Sequence, residues 1–305
     1  MRMVVTGKTG QLARALQERA AGHGAQIIAV GRPELDLTDP NPSLGLIEAA
    51  RPDLIISAAA YTAVDKAEDE PDLAFAINAE GPRALSDTAT RLGVPLIQIS
   101  TDYVFDGTKP TPWVETDAPV PRSVYGASKL AGERAVLGAS PGNIVIRVGW
   151  VYSPFGANFA KTMLRLAGDR DTLRIVADQV GGPSSALDLA DGVLSVARNV
   201  LAEPRRADLR GVFHMGAGGE ASWADFAEEI FAWLDARTGR RVQVERITTA
   251  EYPTKARRPA NSRLDSTKLA QVHGVRMPPW RASVAPILQR LVETDFQHLK
   301  GLGSS

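Results

Sequence analysis

Arg2-Met3-Val4-Val5-Thr6-Gly7-Lys8-Thr9-Gly10-Gln11-Leu12-Ala13 is the stretch whose reading decides the fold. A short run with an apolar centre meets two glycines three apart, and helix-period apolar spacing begins directly after. A strand that turns through glycine into a helix is the opening of a dinucleotide-binding unit. In that reading Gly7 makes the tight turn and Gly10 lets a pyrophosphate approach the backbone and the helix N-terminus. Ala13 then keeps helix and strand close. GxxGxxA is equally the pattern of a plain glycine turn, and its place at the first strand–helix junction favours the cofactor reading.

The alternation repeats outward from this turn. Strands are expected over 2–6, 26–30, 54–57, 96–100 and 144–148, separated by helical stretches 11–21, 43–50, 72–92 and 123–137, with later strands near 173–176 and 212–215. This order predicts an α/β fold: a doubly wound, Rossmann-like parallel sheet with ligands at the carboxyl ends of its strands. Several strands are apolar throughout, as expected when helices cover both faces. After about residue 150 the pattern loosens, with turns at Gly181-Gly182-Pro183 and Gly216-Ala217-Gly218-Gly219 and a basic, proline-punctuated segment from Tyr252 to Ser262. The expected division is a dinucleotide-binding domain over 1–150, to which later segments return, and a smaller C-terminal substrate-binding lobe mainly over 151–300.

The chain of 305 residues is long enough for this arrangement. Lys+Arg and Asp+Glu both number 35, so the formal charge is zero and nothing favours a nucleic-acid or membrane partner. There is no cysteine, which excludes disulfides, cysteine–zinc sites and cysteine nucleophiles and fits a reducing compartment. MRMVVTG does not read as a signal peptide, and no apolar run approaches the roughly 18 residues of a membrane span. A cytoplasmic protein is expected. The closing 301–305 has no periodic pattern and reads as a mobile tail.

Tyr125-Gly126-Ala127-Ser128-Lys129 places a tyrosine and a lysine on one face of a helix. A free phenol has a pKa of about 10 and is a poor acid or base near neutrality. A neighbouring ammonium favours the phenolate and brings it toward the working range. YxxxK alone is common by chance; Thr101 supplies context, because it ends the fourth strand where the crevice is expected. Its hydroxyl can hydrogen-bond a substrate carbonyl as negative charge develops, or simply close the strand locally. Tyr103 lacks a lysine four residues on and is assigned to packing or the pocket wall. The implied chemistry is hydride transfer to a carbonyl carbon. Tyr125 protonates the alkoxide, Lys129 tunes Tyr125 and contacts the nicotinamide ribose, and Thr101 orients the carbonyl.

Cofactor choice is read from the second strand, which ends Val30-Gly31-Arg32. An acid at this point commonly binds the NAD ribose, whereas Arg32 suits the 2′-phosphate of NADP or is a solvated arginine. Asp36, with Leu37 beside it, approaches the adenine or ribose from the next loop. Either NADPH or NADH is expected, with NADPH at least as good.

The motifs GKTGQLA, AAAYTAVDKAE (58–68), STDYVFDG (100–107), YGASKLAGE (125–133), NFAKTMLRLA (158–167) and RPANSRL (258–264), in this order, resemble the dTDP-4-dehydrorhamnose reductases. That family belongs to the extended short-chain dehydrogenases, and the resemblance runs from about Met3 to Leu291. It implies reduction of the 4-keto group of dTDP-4-dehydro-L-rhamnose. It places Gln11 and Leu12 in the cofactor turn, and Ala58, Ala59 and Ala60 along the nicotinamide. Asn78 becomes a structural or water-relay residue. Thr101 and Asp102 contact the sugar, and Trp150 stacks near it unless it is plain core. The substrate's diphosphate wants positive charge. Among Arg257, Arg258, Asn261 and Arg263, Arg258 and Asn261 are assigned to the nucleotide end, against the alternative of a basic surface loop. The helix over 159–167 is placed to close over the substrate.

One departure bears on metals and assembly. Some members of the family are magnesium-dependent dimers with a glutamate on the first helix, where this chain has Ala13-Arg14-Ala15-Leu16. Asp188 and Asp191 remain, but two carboxylates on a helix are more often a solvated face. No metal ligand is assigned, magnesium is doubtful, and a homodimer would have to form without it. Two rival readings stand beside this one. One is a nucleotide-sugar dehydratase or epimerase; a dehydratase would carry an acid after Thr101-Asp102, where Tyr103 stands. A non-catalytic regulatory subunit on the same fold would not need Thr101, Tyr125 and Lys129 together.

Overall fold

In the computed structural model residues 1–301 are described; the reading of the chain end as a mobile tail falls, beyond Gly301, outside the described residues. The chain opens β1 (Arg2–Thr6), α1 (Gln11–Arg19), β2 (Gln26–Val30), α2 (Leu44–Ala49) and β3 (Leu54–Ser57). There follow α3 (Val64–Ala67), α4 (Pro71–Phe75), a π turn (Ala76–Glu80) and α5 (Gly81–Leu92). Next come β4 (Leu96–Thr101), a 3-10 turn (Asp102–Val104), α6 (Val124–Ala139) and β5 (Ile144–Val148). The later part holds β6 (Val151–Tyr152), α7 (Phe159–Ala167), β7 (Thr172–Val176), β8 (Val180–Gly181), β9 (Ser184–Ser185) and α8 (Ala186–Ala202). It ends with β10 (Gly211–His214), β11 (Ala221–Ser222), α9 (Trp223–Thr238), β12 (Gln243–Ile247), α10 (Thr267–His273) and α11 (Trp280–Thr294).

Six strands form one sheet in the order β10-β5-β4-β3-β1-β2, and every neighbouring pair is parallel. β3, β4 and β5 are buried at every position, which explains why they are mostly apolar. One face packs on α1 and α8 through Leu12, Leu16, Leu189 and Val193; the other holds Ile47, Leu85, Ala89 and Val136 from α2, α5 and α6. A second large core joins α7, α9 and α11 through Met163, Phe226, Ile230 and Leu288. The strand order reverses direction at β1 and β3, which opens a crevice at their carboxyl ends.

Two expectations need correction. The strand near 173–176 does not join the main sheet; it pairs in parallel with β12, and β10 takes the edge beside β5. The helix over 72–92 is interrupted by the π turn at Ala76–Glu80. Pro82 has no N–H to return to the Asn78 carbonyl, so the regular ladder cannot continue through that turn. α6 crosses at this place through Gly132, where a Cβ would collide with the Asn78 carbonyl oxygen.

Candidate active site

The glycine turn sits at the strand-order reversal. Gly7 has φ +93°, a left-handed conformation suited to glycine, and its N–H donates to the Val30 carbonyl at 2.7 Å. The Thr6 hydroxyl accepts from the Ala58 and Ala59 N–H groups, each at 3.1 Å, so the loops after β1 and β3 are stitched together. Ala58, Ala59 and Ala60 are half-buried beside the turn. Gly10 precedes α1, no side chain caps this helix, and a Cβ on Gly10 would meet nothing within 4 Å. Unclaimed N–H groups with open space beside them fit a pyrophosphate.

Other expected cofactor residues divide by what their side chains already do. Leu12 and Leu37 are buried in the two cores, so only their backbones can serve a ligand. The Gln11 amide oxygen accepts from Ser153 Oγ at 2.7 Å and Asn158 Nδ2 at 3.1 Å. It thereby ties the turn to the residue that caps α7. Arg32 is exposed near the turn, and Asp36 accepts from the Thr38 N–H and hydroxyl, both at 2.9 Å. Lys8, on the turn itself, pairs with Glu34.

The second group lies at the carboxyl end of β4. Ser123 caps α6 by accepting from the Gly126 N–H at 3.1 Å, which fixes the first turn carrying Tyr125. The Tyr125 phenol is buried beside Thr101, whose hydroxyl donates to Asp102 Oδ1 at 2.9 Å. Tyr103 packs edge-on against Tyr125, with ring centroids 5.5 Å apart, and burial pushes its phenol up to about 12. Asp102 is buried, which raises its carboxyl to about 6 against the opposing hydrogen bond from the Thr101 hydroxyl. Asn78 holds the Tyr61 backbone from both sides at 2.8 and 3.0 Å and donates to Ser128 Oγ, making it a structural tie between the π turn and α6.

The expected tuning of Tyr125 by Lys129 is not what this site displays. Lys129 Nζ donates to the Ile99 carbonyl at 2.6 Å, and burial lowers its ammonium to about 8. Burial also raises Tyr125 well above the ordinary phenol range, with only the neighbouring Thr101 hydroxyl opposing. Both groups lose water, and that loss outweighs the local attractions.

Trp150 has φ +48°, uncommon for a bulky residue, and such outliers are held by their surroundings. Its Nε1 donates to Ser262 Oγ at 2.9 Å, and its ring stacks on Trp223 with centroids 3.5 Å apart and planes within 1°. Gly181 lies against the same indole, where a Cβ would collide. Trp223 thus covers one face of the Trp150 ring. Trp223 was missed in the sequence because 73 residues separate the pair and no periodicity links them.

Trp223, Phe159, Gln179, Tyr252 and Arg258 line a cavity of about 860 Å³ between α7 and β7. Arg258 donates to Asp65 Oδ2 at 2.8 Å and its positive charge acts on the Tyr103 phenol, so it connects this cavity to the Tyr103–Tyr125 pair. Asn261 is not available to a nucleotide, which corrects that assignment. Its amide donates to the Lys109 and Thr111 carbonyls at 2.6 and 2.8 Å and accepts from Arg263 Nε at 2.8 Å. Of the carboxylates considered for metal, Asp191 takes Arg19 and His23, Asp188 takes Ser283, and Arg14 stands over Phe155.

A parallel doubly wound sheet, a glycine turn at its reversal and a Thr101–Tyr125–Lys129 group at the end of β4 define an extended short-chain dehydrogenase/reductase, a class of nicotinamide-dependent oxidoreductase. The family model described as the RmlD substrate binding domain matches residues 1–293. The dTDP-4-dehydrorhamnose reductase of Sinorhizobium fredii is 51% identical over 292 residues, covering 96% of this chain and 98% of that protein. The Escherichia coli K12 protein of the same name is 40% identical over 96% of this chain and 99% of its own. Two solved structures are also similar. The dTDP-4-dehydrorhamnose reductase of Clostridium acetobutylicum has a TM-score of 0.86 at 38% identity, covering 95% of this chain and 99% of that one. The Bacillus anthracis reductase, in complex with NADP, has a TM-score of 0.85 at 35% identity, covering 96% and 99%. This chain belongs to the dTDP-4-dehydrorhamnose reductase family.

Proposed function

We propose that this protein reduces the 4-keto group of dTDP-4-dehydro-L-rhamnose to give dTDP-L-rhamnose, the last step in making that activated sugar. The observation that carries the reading is that Tyr125 and Thr101 are buried together at the carboxyl end of β4, on the sheet whose glycine turn fits a pyrophosphate. The nicotinamide cofactor, when bound, supplies hydride to the carbonyl carbon. Thr101 hydrogen-bonds the C4 oxygen as negative charge gathers there, and Tyr125 gives that oxygen its proton. A phenol held neutral by burial is a donor rather than a base in the resting site, which suits reduction. Lys129 holds positive charge beneath the tyrosine and meets the nicotinamide ribose.

Residues Gly7, Gly10, Ala58, Ala59 and Ala60 would cradle the cofactor, with the backbones of Gln11, Leu12 and Leu37, and with Arg32 and Asp36 at the adenosine ribose. The cavity beside α7 suits a nucleoside diphosphate in size, with aromatic walls for the base and Arg258 for the phosphates. The division into a cofactor domain and a C-terminal lobe, the cytoplasmic location and a homodimer without magnesium complete the reading. Among the described residues no helix is long and apolar enough to cross a membrane. Replacement of Tyr125 by Phe tests the proton donor. Turnover is expected to fall by about 10²-fold or more, the scale of general acid catalysis, with NADPH affinity within about twofold. Near-normal kcat in Tyr125→Phe would reject the assignment.

A further inference from the structure

Glu133 and Arg147 take no part in the chemistry above, yet their side chains are only 2% and 4% exposed. Arg147 Nε donates to Glu133 Oε1 at 2.9 Å and Nη2 to Oε2 at 2.7 Å, and the Ser100 hydroxyl donates to Oε1 as well. A buried ion pair is weak evidence for stability, because desolvation offsets much of the attraction, so its presence calls for another role. Position suggests one. Glu133 lies one helical turn beyond Lys129 and two beyond Tyr125 on α6, which puts all three on one face. Adjacent β4 residues meet successive turns of that face: the Ile99 carbonyl accepts from Lys129, and Ser100 donates to Glu133. Arg147 arrives from β5 directly opposite Ser100.

We infer that Glu133 is a positioning residue for Lys129: its carboxylate, clamped by Arg147 and Ser100, keeps the Lys129 ammonium charged and seated on the Ile99 carbonyl below Tyr125. This deepens the reading of Lys129 in the proposed reduction and rests on it. Burial drives Lys129 down to about 8, and the Glu133 carboxylate is the charge that resists the fall. The other charged and titratable groups on elements packed against α6 are committed elsewhere or exposed. Asp102 is bound by Thr101, and Asp65 by Arg258. Glu68 takes the Val124 N–H, and Glu70 takes Tyr61 and Lys66. On the 3-10 turn Tyr103 is buried and neutral; Asp72 of α4 and Asp87 of α5 are exposed. Arg83 and Arg91 of α5 pair with Glu80 and Glu48. Arg147 is held in its ion pair with Glu133.

The test compares Glu133→Gln with the double variant Glu133→Gln/Arg147→Met, which also removes the charge left unpaired. Two profiles are followed from pH 6 to 10: kcat/KM with the keto sugar, and NADPH affinity by cofactor fluorescence. In both variants the alkaline fall of each profile should move down by about one pH unit, because a neighbouring carboxylate no longer favours the ammonium. A double variant that melts like the parent and keeps both profiles in place overturns the inference and leaves a purely structural pair. If the parent itself turns over no keto sugar, the functional reading fails, and the NADPH profile still decides the role of Glu133.

Discussion

Asp102 illustrates how one buried side chain sets the character of the site. Its Oδ2 is buried with no hydrogen-bond partner, and its carboxyl is raised to about 6. A raised carboxyl means that the folded state favours the protonated form. The stabilisation from Asp102 is therefore complete below about pH 4 and lost as pH rises through about 6. A rise from 3.8 to about 6 corresponds to a penalty of order 3 kcal/mol at neutral pH. Asp102→Asn should accordingly raise the unfolding free energy at pH 7.5 and change it little at pH 4, by urea denaturation at both values. An equal change at both would show that the carboxyl does not titrate in this range. Tyr125, Lys129 and Thr101 were legible in the sequence because a four-residue spacing and a strand end are local signals. Glu133 stood in plain view four residues past Lys129, but only its pairing with Arg147 gives it meaning. Trp223 and the committed amide of Asn261 come from chain segments brought together by folding, and no spacing announces them.

Elements were easier to read than contacts. β1, β2, β3 and β5 fall on the expected residues, and β4 runs one residue further, because apolar runs bounded by turns carry a strong local signal. β7 was legible as a strand but not in its pairing, since partner choice depends on β12, 71 residues later. The π turn was hidden inside a helical pattern, although Gly81-Pro82 marks where the ladder must change. That turn and α6 fit together only because residue 132 has no Cβ. Gly132→Ala should lower the unfolding free energy by about 1–3 kcal/mol, the usual cost of overpacking, and reduce kcat by shifting Tyr125. Urea unfolding and steady-state rates measure both. Unchanged stability would mean that α6 and the π turn are not the close pair described.

At the scale of the whole molecule, two cores are joined where the glycine turn, Gln11 and the cap of α7 meet. The six-stranded sheet positions the cofactor turn and Tyr125, while α7, α9 and β7 frame the cavity beside them. Assembly should not depend on magnesium, because the first helix offers Arg14 where an acid would be needed and Asp191 is paired with Arg19 and His23. The mass in solution, by light scattering, should be the same with and without a chelator; dissociation on chelation would contradict this. The central claim is tested most directly by generating dTDP-4-dehydro-L-rhamnose in place and following the absorbance of NADPH, with identification of the product sugar. The account predicts one NADPH consumed per dTDP-L-rhamnose formed. No NADPH loss with this sugar, from a folded protein that binds the cofactor, would contradict it.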